Sequence, residues 1–226
     1  MAFIRRQEMS RMKNMKLGKK LVISYAVLLI LLVAGTAVSI INLVSLSRQI
    51  EVFYDGPFLV KGSANIINSN FERMQKAVYR TIVNEDEALI SDAMENAKAS
   101  AQEIENQIPF VREHFKSDQQ IVDRLEDQLD RLAPMRETVM SLASQNRNKE
   151  AVAYMEANNI PTIKAAQAEL DLLIENSNLK GEELISGLRQ SQIKAIFMLG
   201  VLGIGSVLAS LMFSTYITRS ITVPVA

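Results

Sequence analysis

Two stretches without a single charged residue decide most of what this chain can be. Leu21 to Ile41 runs for 21 residues and Ala195 to Ile217 for 23. A helix needs roughly 20 apolar residues to cross the ~30 Å hydrocarbon layer of a bilayer, so both stretches qualify as transmembrane helices. The competing reading of the first is a cleaved signal peptide. Its apolar core normally spans only ~7–15 residues, and Ala37-Val38-Ser39 matches a cleavage site poorly. The expected layout is a basic tail (1–20), a span (21–41), a large intervening segment (42–194), a second span (195–217) and a short end (218–226).

The charges give this layout a direction. The formal net charge of zero hides seven Lys and Arg against one Glu in residues 1–20, and 17 cations against 24 acids in residues 42–194. Cations gather on the cytoplasmic side of membrane spans. Only Arg48 follows the first span up to Pro57, which places the N-terminus in the cytoplasm. Two spans return the C-terminus to that side, next to Arg219. Lys180, Arg189 and Lys194 oppose the rule, but they end a long segment, and long segments translocate largely regardless of charge. Residues 42–194 are therefore expected outside the cytoplasm, on a two-pass protein of the inner (plasma) membrane. The tail reads as an orientation signal or a contact with anionic membrane lipid, not as a nucleic-acid site. Within the spans, Gly35 with Ser39 and Gly205 with Ala209 form small-xxx-small pairs that permit close helix approach.

Composition removes several chemistries. With no cysteine and one histidine, disulfides, thiolate zinc sites, cysteine nucleophiles and multi-histidine metal centres are excluded. Neither an enzyme nor a resident metal or cofactor is expected.

The segment between the spans reads as four helices. Val60, Ala64, Ile67, Phe71, Met74 and Val78 form one apolar stripe, and Ile90, Met94, Ala97, Ala101, Ile104, Ile108, Val111 and Phe115 a second. Ile121, Leu125, Leu129, Leu132, Met135, Val139 and Leu142 form a third, and Ile163, Ala166, Leu170 and Leu173 a looser fourth. Alternating steps of three and four residues belong to helices, and sustained over several turns they suit bundle packing. Helix one is expected over Asn42–Val83 and helix four over Asn148–Lys194. Breaks fall at Asn84-Glu85-Asp86, which offers a cap and early acids, at Lys116-Ser117-Asp118, with Ser117 as cap, and at Gln145–Asn148. Such short connections make neighbours antiparallel. The fold class is thus all-α: a membrane-anchored, up-down-up-down four-helix bundle between two transmembrane helices. Pro57, Pro109, Pro134 and Pro161 fall inside helices, where they bend them, and Gly56-Pro57 is a candidate break.

This layout resembles the front half of a methyl-accepting chemotaxis receptor. Arg219-Ser220-Ile221-Thr222-Val223-Pro224, directly after a span, is similar to the opening of a HAMP linker, and Tyr54-x-x-Pro57 is similar to an element of that family's four-helix sensor domain. The resemblance implies a homodimer that binds a small ligand outside the cell and shifts one helix against its neighbours. Through the linker it acts on a cytoplasmic kinase and its adaptor, in a part of the receptor beyond Ala226. The same input half also serves sensor histidine kinases and diguanylate cyclases, and a structural or adaptor membrane protein without a ligand is the third alternative.

Candidate binding residues come partly from spacing and partly from the resemblance. Arg73, Lys76 and Arg80 make a basic strip one residue off the first apolar stripe. The resemblance implies arginines of helix one at an anionic ligand across the dimer seam, joined by a Pro-Thr pair of helix four that Pro161-Thr162 matches, with Asn158 and Asn159 beside it. Offsets along the helices put Arg73 and Thr162 within about 5 Å in height. Arg73, Arg80, Lys76 and Thr162 are therefore the candidate ligand-binding residues, for a small organic anion. The alternative is an ordinary solvated face. The same reading suits the acidic run Asp123, Glu126, Asp127 and Asp130, which Arg124 and Arg131 interleave. His114 is read as a polar residue at a helix C-terminus, where its cationic form suits the dipole.

Overall fold

The apolar stripes do form helices, and almost everything described is helical. The computed structural model describes residues 17–222. The expected basic tail as far as residue 16, and the Val223-Pro224 end of the expected linker, lie outside them. In order, the elements are α1 (Leu17–Phe53), a π-helical turn (Tyr54–Phe58), α2 (Leu59–Val83), α3 (Glu87–His114), α4 (Gln119–Ser144), α5 (Asn148–Tyr154), a second π-helical turn (Met155–Asn159) and α6 (Ile160–Thr222). No strand occurs among the described residues. The chain divides into two compact units. One comprises residues up to Gln49 together with Gly187 onward, and the other is Ile50–Ser186.

The second unit is the four-helix bundle. Its first helix runs from the end of α1 through the π-turn into α2. Its second and third are α3 and α4, and its fourth is α5, the second π-turn and the start of α6. Both helices that feed a span therefore contain a π-turn, and each turn is tied to a proline. Proline lacks the N–H that an α-helix needs and crowds the carbonyl four residues back; a one-residue widening of the helix relieves both. Pro57 lies inside the first turn, so Gly56-Pro57 widens the helix instead of breaking it. Pro161 follows the second turn by two residues.

Helix ends follow local chemistry. Asp86 caps α3: one carboxylate oxygen accepts from the N–H groups of Ala88 at 2.8 Å and Leu89 at 3.2 Å. Asp118, not the expected Ser117, caps α4 by accepting from the N–H of Gln120 at 3.0 Å. The carboxylate has the better acceptor and adds negative charge where the helix dipole favours it. α4 stops in a Schellman motif. The N–H of Asn146 donates to the Ala143 carbonyl at 2.9 Å and that of Arg147 to the Leu142 carbonyl at 3.0 Å. This closure requires a left-handed residue, and Asn146 takes φ 58°, which asparagine tolerates better than most side chains.

The bundle core falls into two clusters. The larger holds Val60, Ile67, Phe71, Ile104, Ile108, Val111, Leu125, Leu132, Leu170 and Leu173 among others. The smaller, toward the α2–α3 and α4–α5 connections, is Ala77, Val78, Ile82, Ala97, Val139, Met140, Ala143 and Ala151. Polar ties run round the bundle outside the core. Arg80 meets Asp92 at 3.1 Å, Arg112 meets Asp123 and Glu126 at 2.6 Å each, and Arg124 meets Glu169 at 2.8 Å. Gln167 donates to Asn68 at 3.1 Å, which closes the ring from the fourth helix to the first.

The other unit contains the two apolar helices, each long and apolar enough to cross a membrane. Their large side chains face outward, as with Leu32 at 67% exposed and Phe197 at 74%. In water that surface would carry a heavy penalty; in lipid it is the favourable state. Lys20 Nζ lies 5.5 Å from the Tyr216 ring centroid, a cation–π contact between the two helices.

Candidate functional site

Side chains converge around open space at several places in the bundle, and three of them carry chemistry of interest. The first is the basic strip. Arg73, Lys76 and Arg80 line an open groove together with Asn70, Asn96 and Ser100, between the first and second bundle helices. Lys76 reaches Glu72 at 3.6 Å and Arg80 reaches Asp92 at 3.1 Å, whereas Arg73 has no ion-pair partner among the described residues. Thr162 is not part of this groove. Its hydroxyl donates to the Asn158 carbonyl at 3.1 Å and lies 3.7 Å from Met135 Sδ, facing the third helix. The structure thus groups the three cations and sets the threonine on a different face of the bundle.

The second place surrounds the first π-turn. Phe53, Pro57, Phe58, Ile66, Phe110 and Ile185 line an apolar groove of about 680 Å³. The Tyr54 and Phe58 rings stack at 5.2 Å. His114 anchors this end, because its Nδ1 lies 2.7 Å from the Asp55 backbone carbonyl, which can only accept, so Nδ1 carries the proton. The lone histidine thus ties the last turn of α3 to the π-turn of the first helix. Its ring also packs on Phe110 at 4.3 Å.

The third place is a half-open pocket of about 240 Å³ in the side of the bundle, beside the exposed Tyr79, where the two core clusters meet. Met74, Val78, Leu132, Met155, Ile160 and Ile163 make its apolar wall, and Gln75, Arg136 and Asn159 contribute polar groups. Arg136 did not stand out in the sequence from the other cations of α4, yet its side chain is only 12% exposed. Asn159, noted beside Pro161-Thr162, sits in the second π-turn and is 2% exposed.

Several other charged groups pair within the bundle. The acidic run on α4 serves its own domain: Asp123 and Glu126 hold Arg112, and Asp127 holds Arg131 at 3.0 Å. The hydrogen bonds that Arg112 donates, to Asp123 first and then to Glu126, raise its pKa above its already high value. The hydrogen bond from Arg147 holds the Glu150 carboxyl below its ordinary range. No cluster of three or more metal-ligating side chains occurs among the described residues.

An antiparallel bundle whose first and last helices lead into apolar spans is the architecture of a membrane-anchored sensor domain. The comparison with protein families narrows this. The chain belongs to the four-helix-bundle sensory modules for signal transduction of methyl-accepting chemotaxis receptors, whose family model matches residues 14–185. Curated proteins and solved structures give no match.

Proposed function

We propose that this chain is the input half of a two-pass receptor that binds a small ligand outside the cytoplasm. It would pass a displacement of the fourth bundle helix to a cytoplasmic signalling domain, as a chemoreceptor does. The observation that carries this reading is α6, one helix from Ile160 to Thr222, whose residues include both core positions of the bundle and the second apolar span. A hydrogen-bonded helix transmits axial and rotational shifts along its length, and receptors need only ~1–3 kcal/mol of coupling between sites. The charge bias of residues 1–20 supports a cytoplasmic N-terminus and a bundle on the far side of the plasma membrane.

Arg73 is the member of the basic strip proposed to meet a ligand anion, in a homodimer with a second copy across the groove, since Lys76 and Arg80 already face acids. A kinase and its adaptor are the proposed partners of the cytoplasmic half.

The test joins residues 1–226 to a linker and kinase reporter. A Gly-Gly-Gly-Gly insertion after Gly187 is expected to abolish the response to ligand while the bundle melts as before. A cysteine at Asn146, in this otherwise cysteine-free chain, is expected to react with a membrane-impermeant maleimide on spheroplasts. A retained response overturns the transmission, and protection of that cysteine overturns the orientation.

A further inference from the structure

The pocket between α2, α4 and the second π-turn holds a largely buried cation whose nearest carboxylate is the half-exposed Glu137. A guanidinium carries five N–H donors. The structure gives those of Arg136 two poor partners. Nη1 lies 3.4 Å from Met74 Sδ, a weak acceptor. Nη2 lies 3.7 Å from Oε1 of Glu137, the next residue along, whose side chain is half exposed. Nε is fully buried with no acceptor. The arginines that tie helices together elsewhere are different, since Arg112 and Arg124 meet carboxylates at 2.6–2.8 Å across the bundle. A cation this buried is costly unless an anion and matching hydrogen bonds offset its lost hydration.

A second orphan group lines the same space. The side-chain oxygen of Asn159 is buried without a hydrogen-bond partner, and the residue itself is 98% removed from solvent by its 2% exposure. Buried polar groups are nearly always paired, so two unsatisfied groups lining one cavity are a signal of function. Apart from Gln75 and Tyr79 the rest of the wall is apolar, with two methionines whose flexible thioethers adapt to ligand shape.

We propose that this cavity binds a small monocarboxylate with an apolar body and one hydrogen-bond donor. The carboxylate accepts from the Arg136 guanidinium in the bidentate manner that suits a planar fork. The donor, a hydroxyl for instance, bonds the Asn159 oxygen. The aliphatic or aromatic body lies against Met74, Val78, Leu132, Met155 and Ile163. Such a ligand bridges the third helix, through Arg136, to the π-turn that opens α6. The inference rests on the reading of the bundle as a sensor, and it adds a site within one bundle, separate from the basic groove at Arg73.

Calorimetric titration of the full chain in detergent micelles tests it, with 2-hydroxy-4-methylpentanoate, mandelate and 4-hydroxybenzoate as probes and their amides as uncharged controls. At least one acid is expected to bind at one per chain, with its amide weaker. Arg136→Met is expected to weaken binding roughly 10- to 100-fold, as loss of a hydrogen bond to a charged group does. Because that change removes a largely buried charge whose one carboxylate contact is long, the variant is expected to melt no lower than the parent. Arg136→Lys, which keeps the charge and loses the fork, is expected to fall between, and Arg73→Ala to bind as the parent does. Absence of binding by all three acids overturns the proposal, as does undiminished affinity in both Arg136 variants, or equal loss in Arg73→Ala. A kinase reporter separates the two readings. Binding at Arg136 with a silent reporter sinks the sensor reading and keeps the site, whereas a reporter that answers these acids unchanged in Arg136→Met sinks the site and keeps the sensor.

Discussion

The two ends of the bundle core are built from different materials. The larger cluster is packed with Phe71, Ile67, Ile104, Leu125, Leu132, Leu170 and Leu173, all nearly inaccessible to solvent. In the smaller cluster four of the eight buried residues are alanine. Each large apolar side chain contributes about 1.5–3 kcal/mol when fully buried, and its branches interlock with those of the facing helices. Alanine allows close helix approach and offers little volume to fill irregular space. The cavity with Arg136 and Asn159 lies where one regime gives way to the other, taking Met74 and Leu132 from the first and Val78 from the second. Large buried side chains are concentrated at one end, and the groups proposed to meet a ligand stand where they give way to alanine.

The contrast is open to attack by substitution, followed by chemical denaturation of the full chain in micelles. The largest loss is expected at Leu125→Ala or Leu170→Ala, about 2–5 kcal/mol each, because both sites are fully enclosed and cannot collapse around the missing atoms. Losses there no greater than for Val78→Ala would erase the difference between the clusters. Ala97→Leu probes the other regime. If the alanine end is tightly packed, the added atoms cost about 1–3 kcal/mol; a neutral or stabilising result would mark that end as loose. Asp86→Ala removes the cap that satisfies two N–H groups of α3 and is expected to cost about 0.5–2 kcal/mol, seen equally in helicity and in the midpoint.

The smallest effect lies at Arg147–Glu150, an exposed pair at 2.7 Å on the first turn of α5. Its folded-state carboxyl titrates below the ordinary 4.5. The pair's contribution is therefore complete above that value and disappears as the pH falls through the lower folded-state pKa. Glu150→Gln is expected to flatten this part of the acid-denaturation profile; an unchanged profile would mean the pair contributes nothing.

The helices and most of the core were legible because period and burial coincide. All six residues of the first stripe are buried, and Ala166, Leu170 and Leu173 of the fourth. The third stripe drifted. Leu129, Met135 and Leu142 are half-buried, whereas Val122, Met140 and Ala143 are fully enclosed. A repeat averaging 3.5 residues slips round a helix of 3.6 residues per turn, so neighbouring positions take over the buried face. Asp118 displaced Ser117 as a cap because two capping residues stood side by side and only backbone geometry chooses between them. The site was less legible. Arg136 is one cation among several on α4, and its burial depends on the register of three helices at once. Asn159 was noticed for its neighbours Pro161 and Thr162, but the π-turn that turns it inward has no sequence signature beyond a nearby proline.

Those π-turns have a consequence for the history of the chain. A deletion inside an ordinary α-helix rotates every later side chain by on the order of 100°, which would turn a buried face to solvent. At Tyr54–Phe58 and Met155–Asn159 the helix already holds one residue more than its winding requires. Loss of a residue there returns the segment to regular winding and leaves the faces beyond it where they were. Length variation among the relatives of this module should therefore collect at these two segments, while the stretches between them and the bilayer keep a fixed residue count.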